Sequence, residues 1–578
     1  MDGCQVDRPM APPGVWTLQG ERLGPLPLIT AVLERIGLSA LLAEALPPSG
    51  REALPPARAL GVLLRSALVE REPIYRQQET VERFSATAFG VTAAEAQGLR
   101  DDQLGRALDR LFAADRGALL TAIVLRACQA YGVSCTELHN DSTTIKFTGQ
   151  YRAARGRQLF GRRAPWITYG HSKDHRPDLK QLLWILTTTA DGSIPVQFRC
   201  ADGNTSDAST HIATWDALAA LLGRPDFLYV ADSKFCTRET MDHVDRRRGR
   251  FITVLPRTRR EDELFREGLQ TEEPAWEEVW NRPNPRRRGG PRDIWWVCRD
   301  PLPSVEGWPI IWVWSSLGAL QAERARRERL ARAKQDLTVL QRKLRGPKPR
   351  WRSPAQLKTQ VQTLLHHLDV ERFIDVELGV EPEHRYVQAQ RGRPGPETRY
   401  RRLTRVRLTL AWSLNDATIA YEQKSDGMYP LLTNDRQLTP KAVLEAHKRQ
   451  PALEKRFEQL KTELEIAPVF LKNAGRIAAF CCIYFLALLV HALIEREVRR
   501  AMQREGLREL TLYPEQRASR RPTATQIFRL FNAVERHAVV SGTTTLRVFE
   551  PELTELQRQV LHLLRVPERV YRSETTST

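Results

Sequence analysis

The sequence predicts an α/β protein: a mixed sheet interrupted by a β-rich insertion with a helical arm and preceded by a small all-α domain. Three observations carry this reading. Residues 182–190 and 193–198 are β-rich runs joined by Asp191-Gly192, the turn signal of a tight antiparallel hairpin. Residues 227–231 (Phe-Leu-Tyr-Val-Ala) are continuously apolar, as in a strand covered on both faces of a parallel sheet. Nine of the 13 tryptophans fall between residues 258 and 438, a density that predicts a core of its own in that interval.

Taken in order, residues 1–25 read as an N-terminal extension. Residues 26–130 carry the apolar period of packed helices: Leu28, Val32, Leu33 and Ile36, then Leu60, Leu63, Leu64 and Leu68, then Leu104, Ala107, Leu108 and Leu111. Pro47-Pro48-Ser49-Gly50 and Pro55-Pro56 mark loops between them. Residues 131–257 hold the hairpin, a helix over 210–222, the apolar run, and one more core strand over 251–255 closed by Pro256. The interval 258–438 adds strands over 294–298, 310–314 and 406–414 and charged helical stretches over 320–344 and 356–368. Leu330, Leu337, Leu340 and Leu344 lie along one side of the first, like a coiled-coil arm, and Pro347, Lys348 and Pro349 separate it from the second. Over 439–500 the pattern is helical again. Thr439-Pro440 is a hydroxyl N-cap with proline at the first helical position, and its helix is expected to run through Glu454 and Lys461 with a bend near Pro451. A basic, partly helical region spans 501–578, with 573–578 read as disordered.

Lys and Arg number 88 against 69 Asp and Glu, a formal net charge of +19. Such an excess favours a polyanionic partner, because neutralised phosphates release condensed counterions. It says nothing about fold. The eight cysteines form no CxxC pair, and the adjacent Cys481 and Cys482 sit in an apolar run, so a reducing cytoplasm is expected. Met1-Asp2-Gly3-Cys4-Gln5 lacks the basic and apolar regions of a signal peptide. The apolar run 477–490 falls short of the ~20 residues that cross a bilayer, so a core helix and no membrane partner are expected.

Three acids stand out. Asp232 ends the buried strand 227–231, at the edge where open α/β sheets bind ligands, although it is equally suited to cap the following helix. Asp141 shares one face of a strand with Glu137 and His139, a polar cluster that a solvated edge strand would also explain. Glu454 flanks the stripe Leu453, Phe457, Leu460 and Leu464, with Lys461 two turns on along the same face. Such a pair can serve a metal and its phosphate, or be a surface pair of little energetic weight. Lys173, Arg176 and Lys180 lie in a polar loop suited to phosphate contacts or to solvent.

The segments His139-Asn140-Asp141-Ser142-Thr143-Thr144, Gly170-His171-Ser172-Lys173-Asp174-His175-Arg176 and Val230-Ala231-Asp232-Ser233-Lys234 resemble the core of bacterial insertion-sequence transposases of the DDE type. So do Asp426-Gly427 with Leu431-Leu432-Thr433-Asn434, and Leu453-Glu454 with Phe457, Leu460 and Lys461. The resemblance covers roughly residues 26–499 and rests on the order of the pieces rather than on any one. It implies a ribonuclease-H-like catalytic core in which Asp141, Asp232 and Glu454 hold two Mg²⁺ (or Mn²⁺) ions, with a β-rich domain inserted before the glutamate. It further implies double-stranded DNA as partner (element ends and target), a homodimer in the DNA complex, and a cytoplasmic, nucleoid-associated protein. Lys461 fits the lysine that follows the family's glutamate. The tyrosine and arginine that precede it are replaced by His447 and Gln450, with Arg449 alongside. The expected activity is metal-dependent strand cleavage and strand transfer. The competing readings are a catalytically silent DNA-binding protein and a metal-dependent nuclease.

Overall fold

The computed structural model describes residues 16–573, apart from 51, 285, 286, 288, 347–350, 352, 514 and 543. The expectations for residues 1–15, for Pro347, Lys348 and Pro349, and for 574–578 lie outside the described residues. By its contacts the chain divides into two units. One takes the residues up to Thr253 and from Glu445 on; the other is Val254–Leu444.

The first unit contains strands β1 (Trp16–Arg22), β2 (Glu137–Phe147), a short hairpin of β3 (Gln158–Leu159) and β4 (Arg162–Arg163), then β5 (Lys180–Thr189), β6 (Pro195–Ala201), β7 (Leu228–Ala231) and β8 (Arg250–Val254). Within it, five strands lie side by side in the order β6-β5-β2-β7-β8. The pairs β6/β5 and β5/β2 are antiparallel; β2/β7 and β7/β8 are parallel. Asp191-Gly192 lies in the turn that joins β5 to β6, a longer connection than a two-residue hairpin, with positive φ at Gly192 and Ser193. Gly192 has φ of 80°, and a Cβ there would meet the Arg496 side chain at 2.7 Å, so both conformation and space call for glycine. All four residues of β7 are buried, which explains its unbroken apolar run.

One face of this sheet is covered by the helix Ala474–Arg504, where Phe485 stacks on Phe198 of β6 at 5.0 Å between ring centres. The helix has the length and composition of a membrane span, but 94% of its most apolar window is buried inside the protein. The N-terminal helices pack on it: Arg476 donates to both carboxylate oxygens of Asp109 at 2.9 and 2.6 Å, and the space over Gly475 is closed by Phe112. The helical region 26–130 therefore shares a unit with the sheet.

The second unit carries β9 (Glu277–Arg282), β10 (Asp293–Arg299) and β11 (Ile310–Ser315), the hairpin of β12 (Ile374–Gln388) and β13 (Tyr400–Leu414), and β14 (Met428–Thr433). Four of them run antiparallel in the order β14-β11-β10-β9. Trp308 and Trp312 are buried there, and Trp312 stacks on Phe265 at 3.8 Å. The arm is a pair of helices, Ser316–Leu344 and Pro354–His367. Leu330, Leu337, Leu340 and Leu344 close on Leu357, Val361 and Leu365 and on Leu408 and Leu410 of β13. The sequence pattern predicts a strand only over 406–414, whereas β12 and β13 are 15 residues each. Their distal halves are exposed on both faces, so no apolar alternation marks them.

The first unit closes with β15 (Glu535–Ser541) and β16 (Thr544–Phe549), which join β1 in an antiparallel sheet of order β1-β15-β16. These strands are also absent from the sequence reading, and β16 is exposed throughout.

Candidate active site

The site grows from β2, the middle strand of the five. Leu138, Ile145 and Phe147 of this strand are core residues, yet His139, Asn140, Ser142, Thr143 and Thr144 are buried as well. Buried polar groups need partners. Asn140 finds them by donating to Thr187 Oγ1 at 2.9 Å and to the Leu186 carbonyl at 3.2 Å. His139 is bracketed by Gln450 Oε1 and Glu137 Oε1, both at 2.9 Å. A central strand that carries so many satisfied polar side chains holds a site rather than only a core.

The parallel partner β7 sets the second acid. Its register pairs Glu137 with Leu228, Leu138 with Tyr229 and His139 with Val230. Carried two residues further, the same register sets Asp232 beside Asp141. Asp232 leaves the strand with its carboxylate accepting from the Lys234 amide at 3.1 Å, so it caps the short turn Ser233–Phe235 while its side chain stays 44% exposed. Asp141, 25% exposed, accepts from the Ser142 amide at 2.6 Å.

Lys173 lies among these acids. Its ammonium is 3.5 Å from Asp141 Oδ1 and 2.9 Å from Asp207 Oδ2, and it donates to the Ser142 carbonyl and hydroxyl at 2.8 and 2.7 Å. Asp207 Oδ1 accepts from Ser142 Oγ at 2.9 Å. Burial lifts the Asp141 carboxyl to about 6; Asp232 and Asp207 push the same way, and Lys173 opposes them. Burial raises Asp232 too, with Asp207 adding to it and Lys173 working against it. Behind Asp232, His211 is buried with Nδ1 3.1 Å from the Tyr229 hydroxyl and Nε2 4.0 Å from Asp232 Oδ1. Burial pulls this imidazole down to about 4, so it is neutral at physiological pH.

The third acid is placed by its helix. Pro451–Glu458 leads into a π-helical turn, Gln459–Glu463, a distortion that recurs at functional sites. Leu453, Phe457, Leu460 and Leu464 are buried, as their spacing predicts. At one end Gln450 donates to the Asn140 carbonyl at 3.0 Å, and Arg449 grips Glu137 with two 2.6 Å bonds. At the other, Lys461 binds Asp174 at 2.8 Å. Burial raises the Asp174 carboxyl, but Lys461 and Lys146 prevail and hold it below the usual range. Glu454 is exposed, four residues after Gln450 and seven before Lys461.

Among the described residues no group of three or more His, Cys, Asp or Glu is arranged to hold a metal ion. Asp141 and Asp232 share a site, and Glu454 stands apart as an exposed side chain. The donor chemistry still suits a hard divalent cation. The carboxylates are oxygen donors whose charge is only partly offset, and the Lys173 ammonium already takes a cation's place beside two of them.

Of the other basic residues singled out by sequence, Lys461 and Arg449 are paired with Asp174 and Glu137. Arg176 is paired with Asp178 on the surface, and Lys180 donates to the Gln150 carbonyl beside Tyr169. Asp207 was not legible in the sequence: an acid at the start of a helix is an ordinary N-terminal residue.

Residues 18–125 match a family described as a domain of unknown function (DUF4277). No curated protein matches the chain. Among solved structures, the chain is similar to the piggyBac transposase synaptic complex with hairpin DNA, determined by cryo-EM. Identity is 10%, coverage is 89% of this chain and 82% of that one, and the TM-score is 0.35.

Proposed function

We propose that the chain is an insertion-sequence DNA transposase of the DDE type, which binds element ends and cleaves and transfers their strands. The observation that carries this reading is the placement of Asp141 on β2 and of Asp232 just past the end of its parallel neighbour β7, near enough that Asp232 raises the Asp141 carboxyl. Numbered along the sheet segment, the strand order 3-2-1-4-5, with the first three antiparallel, is that of a ribonuclease-H-like core. The net charge of +19 and the ordered motifs of the sequence support a DNA substrate.

In this reading Asp141 and Asp232 hold Mg²⁺ or Mn²⁺, and Glu454 joins them from the helix tied to β2. Bound there, two such ions supply activation of the attacking oxygen and stabilisation of the leaving one. The chain's own residues do the rest. Lys173 offsets the crowded carboxylates in the resting pocket. Asn140 ties β2 to β5 on one side of Asp141, and Ser142 holds Asp207 and Lys173 on the other. His211, neutral and buried against Tyr229, adds no charge beside Asp232. Water attacks the phosphodiester at an element end and releases a 3′-hydroxyl, which then attacks the target strand. A homodimer on paired ends completes the proposal.

The test is incubation of labelled DNA bearing the element ends with Mg²⁺, beside the Glu454→Gln variant. Metal-dependent cleavage at the boundary, lost in the variant, is expected. Binding with no cleavage by either protein would leave a silent DNA-binding protein, and cleavage without strand transfer would leave a nuclease.

A further inference from the structure

We propose that the first unit carries a second, separate ligand site: a phosphate-binding pocket formed by Arg116, Arg162 and Arg199 at the β6 edge of the sheet. The cavity measures about 520 Å³ and is lined by these three arginines with Arg163, Cys200 and Asp202, among others. Four guanidiniums thus face a single carboxylate, and that carboxylate is already engaged. Asp202 is ion-paired with Arg163 and accepts from the Trp166 amide at 2.8 Å.

Arg116, Arg162 and Arg199 form no ion pair among the described residues. Two of the three nonetheless have neutral partners. Arg116 donates to the Phe112 carbonyl at 2.5 Å and lies over the Phe112 ring, and Arg162 donates to the Ala113 carbonyl at 2.9 Å. The buried Nε of Arg199 has no hydrogen-bond partner. Burial draws both Arg116 and Arg199 below the usual arginine range, and Arg162 adds to this at Arg116. Asp115 offsets Arg116 in part; half-buried cations with so little counter-charge are costly, and an anion in the cavity offsets that cost. Arg116 also begins the 16-residue helix Arg116–Tyr131, whose N-terminus is capped by Asp115, the carboxylate accepting from the Ala118 amide at 3.1 Å. Several planar guanidiniums around one cavity suit the oxygens of a phosphate. The phosphate is either part of a DNA backbone, in which case the inference rests on the function proposed above, or belongs to a free phosphate compound.

Three measurements on the full-length, metal-free protein test this. Anisotropy of a labelled duplex compares the wild type with Arg116→Gln/Arg162→Gln and Arg116→Lys/Arg162→Lys across a salt series. Thermal melting is followed with inorganic phosphate. Phenylglyoxal modification of the wild-type arginines, with and without phosphate or duplex, needs no variant and so survives a folding defect. For a DNA phosphate, the Gln pair should bind duplex at least tenfold more weakly. Its log–log salt slope should be smaller by about 1.8, at ~0.9 per charge removed, and the Lys pair should restore the slope. Inorganic phosphate that raises the melting temperature and shields Arg116 and Arg162, with duplex binding unchanged in the Gln pair, would assign the pocket to a free phosphate compound. Neither shielding nor any change in slope or melting would overturn it. Cleavage plays no part in these readouts, so loss of the transposase reading and loss of the pocket are told apart.

Discussion

Asp141 of β2 and Asp232, the residue that follows β7, fall opposite one another when the parallel register joining Glu137 to Leu228 and His139 to Val230 is continued by two residues. Paired strands lie about 4.8 Å apart, so these carboxylates repel one another unless a cation stands between them. The fold stores that repulsion in its most central pair of strands. Lys173 relieves it in part, and a divalent ion would relieve it further.

The first prediction is a metal effect that depends on pH. Asp141 titrates at about 6 against an ordinary 3.8. A carboxyl raised in the folded state contributes stability below its unfolded pKa and loses it as pH rises through the folded value. Without metal, this group therefore favours the folded protein at about pH 5 over about pH 7.5. A divalent cation binds the ionised form, so the rise in melting temperature on adding Mg²⁺ or Mn²⁺ should be larger at the higher pH and small in Asp141→Asn. Scanning fluorimetry at both pH values checks this; equal metal shifts at both, or a full shift in the variant, would count against the site.

The second concerns Asp232→Asn. Asparagine keeps an oxygen for the Lys234 amide while removing one of two crowded charges. Cleavage should fall on the order of a thousandfold, the equivalent of several kcal/mol of lost charge stabilisation. Duplex affinity should stay within a few-fold, and metal-free melting should rise or hold. A parallel loss of binding would assign Asp232 a structural role instead.

Much of this was written locally in the chain. The Asp191-Gly192 turn and the runs 227–231 and 251–255 announce β5 to β8 because a buried strand must be apolar and a tight turn must carry residues that tolerate positive φ. The β12–β13 ribbon leaves no such mark, since its far half packs against nothing. Asp232 drew notice from the strand it follows, and Asp141 from the ordered motifs of the resemblance rather than from its own strand. Asp207 and the exposure of Glu454 were not legible, because helix-borne acids look alike until the loop carrying Lys173 and the contacts of Gln450 and Lys461 are placed.

The third prediction tests how the glutamate helix is held. Arg456 is buried and donates to Glu495 at 2.8 Å, Gln459 at 2.6 Å, and the Gly192 and Ser193 carbonyls at 2.9 and 3.0 Å. Arg456→Met should destabilise by about 3 kcal/mol, because it leaves Glu495 buried with a weakened counter-charge. Arg499, 3.3 Å from Glu495, keeps the loss at the low end of the range for broken buried pairs. The double variant Arg456→Met/Glu495→Met should recover part of the loss. Urea denaturation of the single and double variants decides it; additive losses would show that the two residues are not coupled.

The fourth separates a ligand from a tether. Both oxygens of Asp207 are already engaged, Oδ1 by Ser142 and Oδ2 by Lys173, and its charge pushes the Asp141 carboxyl upward. Asp207→Asn removes that push and frees the Lys173 ammonium to pair more closely with Asp141. Both changes act in one direction, so the Asp141 titration midpoint should move down from about 6. Carboxyl-carbon NMR titration of the metal-free protein reads this directly. Because Asp207 holds Lys173 rather than the metal, cleavage should fall by no more than about tenfold, or ~1.4 kcal/mol of barrier. A collapse of cleavage as deep as that of Asp232→Asn, with the midpoint unmoved, would make Asp207 a metal ligand and remove the tethering role assigned to it.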